Sequence, residues 1–260
     1  MNSGTDQQQK PTLKQLEELL RFTQGQTAAV VTRYFATATF GEIQSVLQNQ
    51  KNVGRTFERL LAPLLASTDA HSSLRAYWER IYRDHYGLEA DFSQVNVPPL
   101  PTDGKWRHIF NLKGFTMNHA AAVYNKIIIA HNSGWNLWRY NEELDATVTD
   151  NIRTSGESYV ICVRDEPEPD KDYLGRSTRD ADPDQLIGVT LLERLVHGTI
   201  HFIETKKHLD EVGITFCTGS RVSGGCVPGV YCSPDDRKVC VYWYSLDNAR
   251  PGGGLRRAVS

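Results

Sequence analysis

No apolar run in this chain approaches the roughly 20 residues that a membrane span demands; the best, around Ile127-Ile128-Ile129-Ala130, stops far short. Excess charge of either sign is also missing. Lys and Arg number 29 against 31 Asp and Glu, a formal net charge of -2, which excludes a nucleic-acid partner held by bulk positive charge. The start, M-N-S-G-T-D-Q-Q-Q-K, lacks the apolar core of a signal peptide. Cytoplasmic synthesis is therefore expected, with any display on a virion or cell surface reached by a route the sequence does not name. The five cysteines, Cys162, Cys217, Cys226, Cys232 and Cys240, are odd in number and contain no CxxC pair. That disfavours zinc knuckles and disulfide frameworks and favours reduced thiols. There is no GxSxG, no P-loop and no GxGxxG opening a helix, so no enzyme class has a positive signature. Neither a catalytic residue nor a cofactor is expected.

What is present is the composition of a globular protein, 40% hydrophobic and 23% charged over 260 residues, enough for one large domain or two smaller ones. Residues 1–10 read as disordered. Leu13, Leu16, Leu19 and Leu20 then fall at helical spacing, and further helical patterns cover 42–50, 56–65 and 72–86. A helical region over 11–93 is thus expected, closed by a Pro-rich linker at 94–104 where three prolines and a glycine exclude regular structure. Beyond it, 106–112 reads as a strand, 119–131 as a helix, 135–140 as extended, and S-Y-V-I-C-V-R at 158–164 as a β-branched strand. Thr190 and Glu193 form a capping box for a helix with Leu192, Leu195, Val196, Thr199 and Ile203 as its buried stripe and Gly213 as its stop. From Ile214 onward short strands alternate with loops. The expected class is α+β: a helical N-terminal region, then a domain over 105–260 with short antiparallel strands.

Two clusters invite chemistry. His197 and His201 sit one helical turn apart, with Glu193 a turn earlier, and paired imidazoles can share a metal in a hydrolase. HExxH is absent, however, because Gly198, Thr199 and Ile200 intervene. No metal site is assigned. The acidic stretch Asp165 to Asp172 offers oxygen ligands, but Pro167 and Pro169 stiffen it and EF-hand spacing is missing; a solvated loop is the expectation.

The C-terminal segment stands apart. Residues 218–260 contain one lysine, Lys238, and no Glu, Gln, Met or Ile. In V-C-V-Y-W-Y, 239–244, alternation places Val239, Val241 and Trp243 on a core face and Cys240, Tyr242 and Tyr244 on an exposed one.

The segments I-T-F-C-T-G-S-R-V-S-G-G-C-V-P-G-V-Y and R-K-V-C-V-Y-W-Y, with the ending L-R-R-A-V-S, resemble the C-terminus of variable proteins of diversity-generating retroelements. The resemblance is specific over about the last fifty residues and does not reach the helical region. It implies a C-type lectin-like fold ending in an L-R-x-x-V strand, and a variable region at about 218–260. In that family, adenine-directed mutagenesis of AAC or AAT codons cannot yield Lys, Glu, Gln, Met or Trp, so Lys238 and Trp243 belong to the frame. The implied variable surface is Val222, Gly224, Cys226, Gly229, Tyr231, Cys232, Ser233, Cys240, Tyr242, Tyr244, Ser245, Leu246, Asp247, Asn248, Arg250, Gly252 and Gly253. The implied scaffold is Val239, Val241, Trp243, Leu255 and Val259. Gly252–Gly254 reads as one draw from the variable pool. Neither E-P-N nor W-N-D occurs, so calcium-dependent sugar binding is not implied. The expected function is receptor- or adhesion-type recognition of a macromolecule, a protein, with no nucleic acid and no membrane insertion. The alternatives are a metal-dependent hydrolase on the His197/His201 helix and a structural virion or assembly protein acting through its N-terminal helices.

Overall fold

A computed structural model describes residues 71–260, apart from Ser133, Gln185 and Leu186, together with Ala38, Thr39 and Glu42. Two compact units divide the chain, Met1–Arg75 and Ala76–Ser260. Of the first, the described part includes the backbone and hydroxyl of Thr39 donating to the Glu42 carboxylate, each at 2.8 Å. The helical patterns expected over 11–20, 42–50 and 56–65 otherwise lie outside the described residues, as does the expected disorder of 1–10. No helix among the described residues is long and apolar enough to cross a membrane.

The second unit is α+β. Helix α1 (Ser72–Ile81) runs into a π-helical turn at Tyr82–Tyr86, in line with the aromatic-rich helical pattern there. Its aromatic residues do not belong to a separate helical region. Trp78 stacks on Phe110 at 5.5 Å, Phe92 meets Phe110 at 5.0 Å, and Tyr86 meets Phe115 at 4.8 Å. The Tyr82 hydroxyl donates to the Phe110 carbonyl at 2.9 Å. The boundary expected at 94–104 therefore falls inside the unit. The prolines do keep this stretch out of helix and strand, but the rings on either side of it share one core.

Strands β1 (Trp106–Asn111), β4 (Tyr159–Arg164) and β10 (Ala258–Val259) form an antiparallel sheet in the order β1-β4-β10. A mixed five-stranded sheet runs β2 (Asn136–Arg139), β8 (Lys238–Tyr244), β7 (Val227–Ser233), β5 (Ile214–Phe216), β9 (Gly253–Leu255). A small ribbon pairs β3 (Val148–Asn151) with β6 (Ser220–Val222). Helix α2 (Met117–His131) is capped by Thr116; α3 (Leu144–Thr147) and α4 (Thr178–Ala181) are single turns.

Helix α5 (Leu191–Thr205) is buried on nearly every side, and both halves of the Thr190/Glu193 capping box are present. It stops earlier than expected, because Lys206 turns left-handed at φ 61° while its N–H still closes on Phe202. Gly213 instead serves close packing: a Cβ there would stand 2.7 Å from the Glu168 carboxylate and 2.8 Å from the Gly252 carbonyl.

Arg194 of α5 ends in a fully buried ion network. The Asp210 carboxylate accepts from Arg194 Nε and Nη2 at 3.0 and 2.7 Å, from Thr215 Oγ1 at 2.6 Å and from Arg256 Nη2. Arg256 also donates to Thr215 Oγ1 and to the carbonyls of Glu166 and Pro167. Burial alone raises the Asp210 carboxyl, but the two guanidiniums outweigh it and hold the group below the usual carboxylate range. Asp210→Ala leaves two buried cations without their shared anion, and the expected loss is about 3–5 kcal/mol. Urea unfolding of the full chain measures it; a loss under about 1 kcal/mol would show the network to be incidental.

Candidate ligand-binding surface

The β7–β8 hairpin sets the geometry. Its register pairs Val227 with Tyr244, Gly229 with Tyr242, Tyr231 with Cys240 and Ser233 with Lys238 on one face. Pro228, Val230 and Cys232 meet Trp243, Val241 and Val239 on the other. The period of two puts Val230, Val239 and Val241 in the core with no exposed surface. Two of the expected scaffold residues differ from the rest. Trp243 is half-buried, because β2 ends at Arg139, opposite Val241, and leaves Trp243 without a strand neighbour on that side. Val259 is half-buried in the two-residue edge strand β10. Leu255 is buried as expected.

The outer face is less open than alternation alone implies. Tyr242 is exposed, but Cys240 and Tyr244 are buried. Tyr244 lies over Gly229, where a Cβ would come within 2.5 Å of its ring, and packs edge-on against Phe216 at 5.3 Å. Cys240 sits in register between Tyr231 and Trp138. Four more expected surface positions are buried. Val222 pairs with Val148 in the ribbon, and Cys232 lies on the core face. Gly229 is roofed by Tyr244, and a Cβ on Gly253 would stand 2.7 Å from the Phe216 ring. The triple glycine is thus a packing element, with Gly254 held against Leu174 and Pro169. Exposed positions are Gly224, Tyr242, Ser245, Asp247 and Arg250; Cys226, Tyr231, Ser233, Leu246, Asn248 and Gly252 are half-buried.

The loop after β8 holds its shape through main-chain bonds. Asn248 N donates to Ser245 O at 3.0 Å, Gly253 N to Arg250 O at 2.9 Å and Ile214 N to Gly252 O at 2.9 Å. Arg179 N and the Thr178 hydroxyl, both from α4, donate to Leu246 O at 3.1 and 3.0 Å. One loop side chain joins them: Asp247 N donates to Ser245 Oγ at 3.4 Å. The other loop side chains reach beyond it: Asp247 pairs with Arg179 of α4 at 2.6 Å, Arg250 lies 5.4 Å over the Tyr244 ring, and Leu246 packs against the Phe216, Val227 and Tyr244 cluster.

Sequence reasoning did not assign Trp138 and Tyr140 to this surface. They rise from the sheet's edge and are exposed by 39% and 57%. Trp138 stacks on Tyr242 at 6.1 Å, and Tyr140 stands edge-on to Tyr242 at 4.8 Å. An aromatic ridge runs on through Tyr244 to Phe216. The alternation in W-N-L-W-R-Y was a signal for a strand, but nothing local indicates its parallel pairing with β8.

The histidine cluster is arranged differently from a metal site. Glu193 is fully buried and committed to Arg153 at 2.7 Å, the Tyr159 hydroxyl at 2.9 Å and the Thr190 amide at 2.7 Å. His197 is buried with neither ring nitrogen hydrogen-bonded. Among the described residues no group of three or more His, Cys, Asp or Glu is placed to hold a metal ion. All five cysteines are free, and burial pushes the Cys232 thiol up to about 12. No family model, curated protein or solved structure matches the chain.

Two expectations follow from these placements. Ser245→Ala and Asp247→Asn shift unfolding free energy by no more than about 0.5 kcal/mol, while Leu255→Ala costs about 2–5 kcal/mol; chemical denaturation of the three variants decides it. The buried histidines set a second. Burial, reinforced by nearby arginines, lowers His197 well below its ordinary value and His208 to about 4. Below about pH 6.5 the unfolded chain takes up protons that the folded chain refuses. Stability is therefore full above pH 6.5 and falls toward pH 4, by up to about 1.4 kcal/mol per pH unit for each such histidine. His208→Phe, which keeps the stack against Trp135 and Phe202, should flatten that slope in denaturation curves taken across the range.

Proposed function

We propose that this chain is a receptor- or adhesion-type binding protein whose C-terminal surface is diversified by a retroelement on a C-type lectin-like frame. The reaction is recognition alone, and the ligand is a macromolecule, a protein. One observation carries the reading: the bonds that fix the backbone of the 245–252 loop run almost wholly between main-chain groups and to α4, the one loop side chain among the acceptors being Ser245 Oγ, which the Asp247 amide reaches at 3.4 Å. Such a loop can exchange Ser245, Asp247 and Arg250 without losing its path, which is what a surface built to vary requires. The neighbouring ridge supports it. Trp and Tyr offer large, rigid, amphipathic contact at low entropic cost, and Ser, Gly and Asn adaptable hydrogen bonding. The terminal L-R-R-A-V segment supports the frame: Leu255 and Arg256 are buried, and Ala258–Val259 closes the β1-β4 sheet as its third strand.

Sequencing the gene's 3′ end across its source population tests this. Changes should concentrate in codons for exposed positions such as 242, 245, 247 and 250 and match adenines in a nearby, near-identical repeat. Codons 138, 140, 239, 241 and 255 should stay fixed. A uniform 3′ end with no such repeat overturns the proposal.

A further inference from the structure

The acidic stretch that precedes α4 walls a cleft of about 550 Å³, a volume in the range of small-ligand sites. Its apolar lining comes from Pro167, Pro169 and Leu174, its carboxylates from Glu166, Glu168, Asp170 and Asp172, and its cations are Arg164 and Lys171. Several of these charges are already engaged. Arg164 donates to the Asp103 carbonyl and carboxylate at 2.7 and 2.9 Å. The Glu168 carboxylate accepts the amides of Val212 and Gly213 at 3.2 and 2.7 Å. Of the lining residues, Glu166, Asp170 and Asp172 then stand against Lys171, with the charges of Arg256 and Arg164 also acting on Asp170.

Asp170 is the exception among them. It is only 3% exposed; Oδ2 accepts the Arg257 amide at 2.8 Å, and Oδ1 has no hydrogen-bond partner. A buried carboxylate oxygen without a donor is costly, and burial raises this carboxyl despite the Arg257 amide and the charge of Arg256. The cleft is also pre-formed. Pro167 O accepts from Asp210 N and Arg256, Asp170 N donates to Leu255 O at 3.0 Å, and Tyr173 N donates to Asp170 O at 3.0 Å. Little ordering is left for a ligand to impose.

We propose that this cleft binds a primary ammonium or guanidinium group on an aliphatic stem, with Asp170 Oδ1 accepting from the charged head and Pro167, Pro169 and Leu174 packing the stem. Among the described residues no group of three or more His, Cys, Asp or Glu is placed to hold a metal ion, and the Pro167, Pro169 and Leu174 lining suits an organic stem. The source of the cation is either a free polyamine or a lysine or arginine side chain of a partner protein. The proposal is independent of the variable-surface reading.

Calorimetric titration of the full chain at low ionic strength tests it, with spermidine, N-acetyl-lysine methylamide and N-acetyl-arginine methylamide as probes and N-acetyl-norleucine methylamide as the uncharged control. At least one cationic probe should bind saturably in the millimolar range or tighter, and the control should not. Asp170→Asn keeps an acceptor for the Arg257 amide and should weaken binding by about tenfold or more. Glu166→Gln is the second variant, in case the first disturbs folding, and should weaken binding less. Glu157→Gln, far outside the cleft lining, should change nothing. Tightest binding by spermidine identifies a free polyamine; equal or tighter binding by the amino-acid derivatives identifies a partner's side chain. Failure of every cationic probe to exceed the control, or binding undiminished in both Asp170→Asn and Glu166→Gln, overturns the proposal.

Discussion

One carboxylate holds the second unit in register. Asp210 takes guanidinium hydrogen bonds from the first turn of helix α5 and from the penultimate strand's flank, while Thr215 of β5 closes the third side. Removing such charges from water costs several kcal/mol per ion, so a triad of this kind is tolerated only when its partners are in place together. Arg256 meets that condition by spending its remaining donors on Thr215 and on the carbonyls of Glu166 and Pro167. The helix, the acidic loop and the C-terminal strands therefore have one mutual arrangement. A one-residue slip of the terminal segment in one direction would put Leu255, which has no guanidinium, where that group must be.

That constraint also fixes both ends of the loop after β8. Upstream, β8 lies inside the five-stranded sheet between β2 and β7; downstream, Leu255 and Arg256 are sunk in the core. Closing a loop whose ends are already anchored carries a modest entropic cost that grows only slowly with length. The turn at Ser245–Asn248 and the bonds from Thr178 and Arg179 meet the remaining needs of its backbone. Most of the loop's conformation is thus set apart from the identity of its side chains, with Ser245 Oγ and the packed Leu246 as the exceptions. The same is not true of Gly253, where a Cβ would stand 2.7 Å from the Phe216 ring; at Gly252 and Gly254 the nearest atoms, at 3.1 and 3.3 Å, leave a side chain tight.

The parts legible in the sequence are those whose cause is local. The Thr190/Glu193 cap, the β-branched run of β4 and the alternation of β7 and β8 depend on neighbours within a few residues, and each gave an element of the right type. What was not legible depends on partners distant in the chain. Burial of Tyr244 requires Phe216 and Gly229, and burial of Cys240 follows from its place between Tyr231 and Trp138. Arg194, Asp210 and Arg256 leave no periodic mark, since a single buried charge looks like a surface residue until its counter-ions are known. The stretch 94–104 was read correctly as irregular and incorrectly as a boundary, because proline chemistry governs the backbone but says nothing about which rings meet across it.

On the proposed reading, the two halves of the ridge have different duties. Trp138 of β2 and Tyr140 just after it lie outside the variable region, so they offer the same aromatic contact whatever the loop presents. Side chains of this kind bury on the order of 150–250 Å² each when covered, enough to give every variant a common apolar footing. Discrimination then falls to polar groups, whose worth depends on being matched: an unpaired donor or acceptor trapped at an interface costs about 1–3 kcal/mol. Arg250, 5.4 Å over the Tyr244 ring, sets one such group beside the ridge. Tyr244 joins the two halves, being large enough to bridge Tyr242 and Phe216 only because position 229 has no side chain. A small residue at 244 would open a void over Gly229, and a large one at 229 would displace the Tyr244 ring. The two positions are therefore sterically one site, and freedom at either is limited by the other.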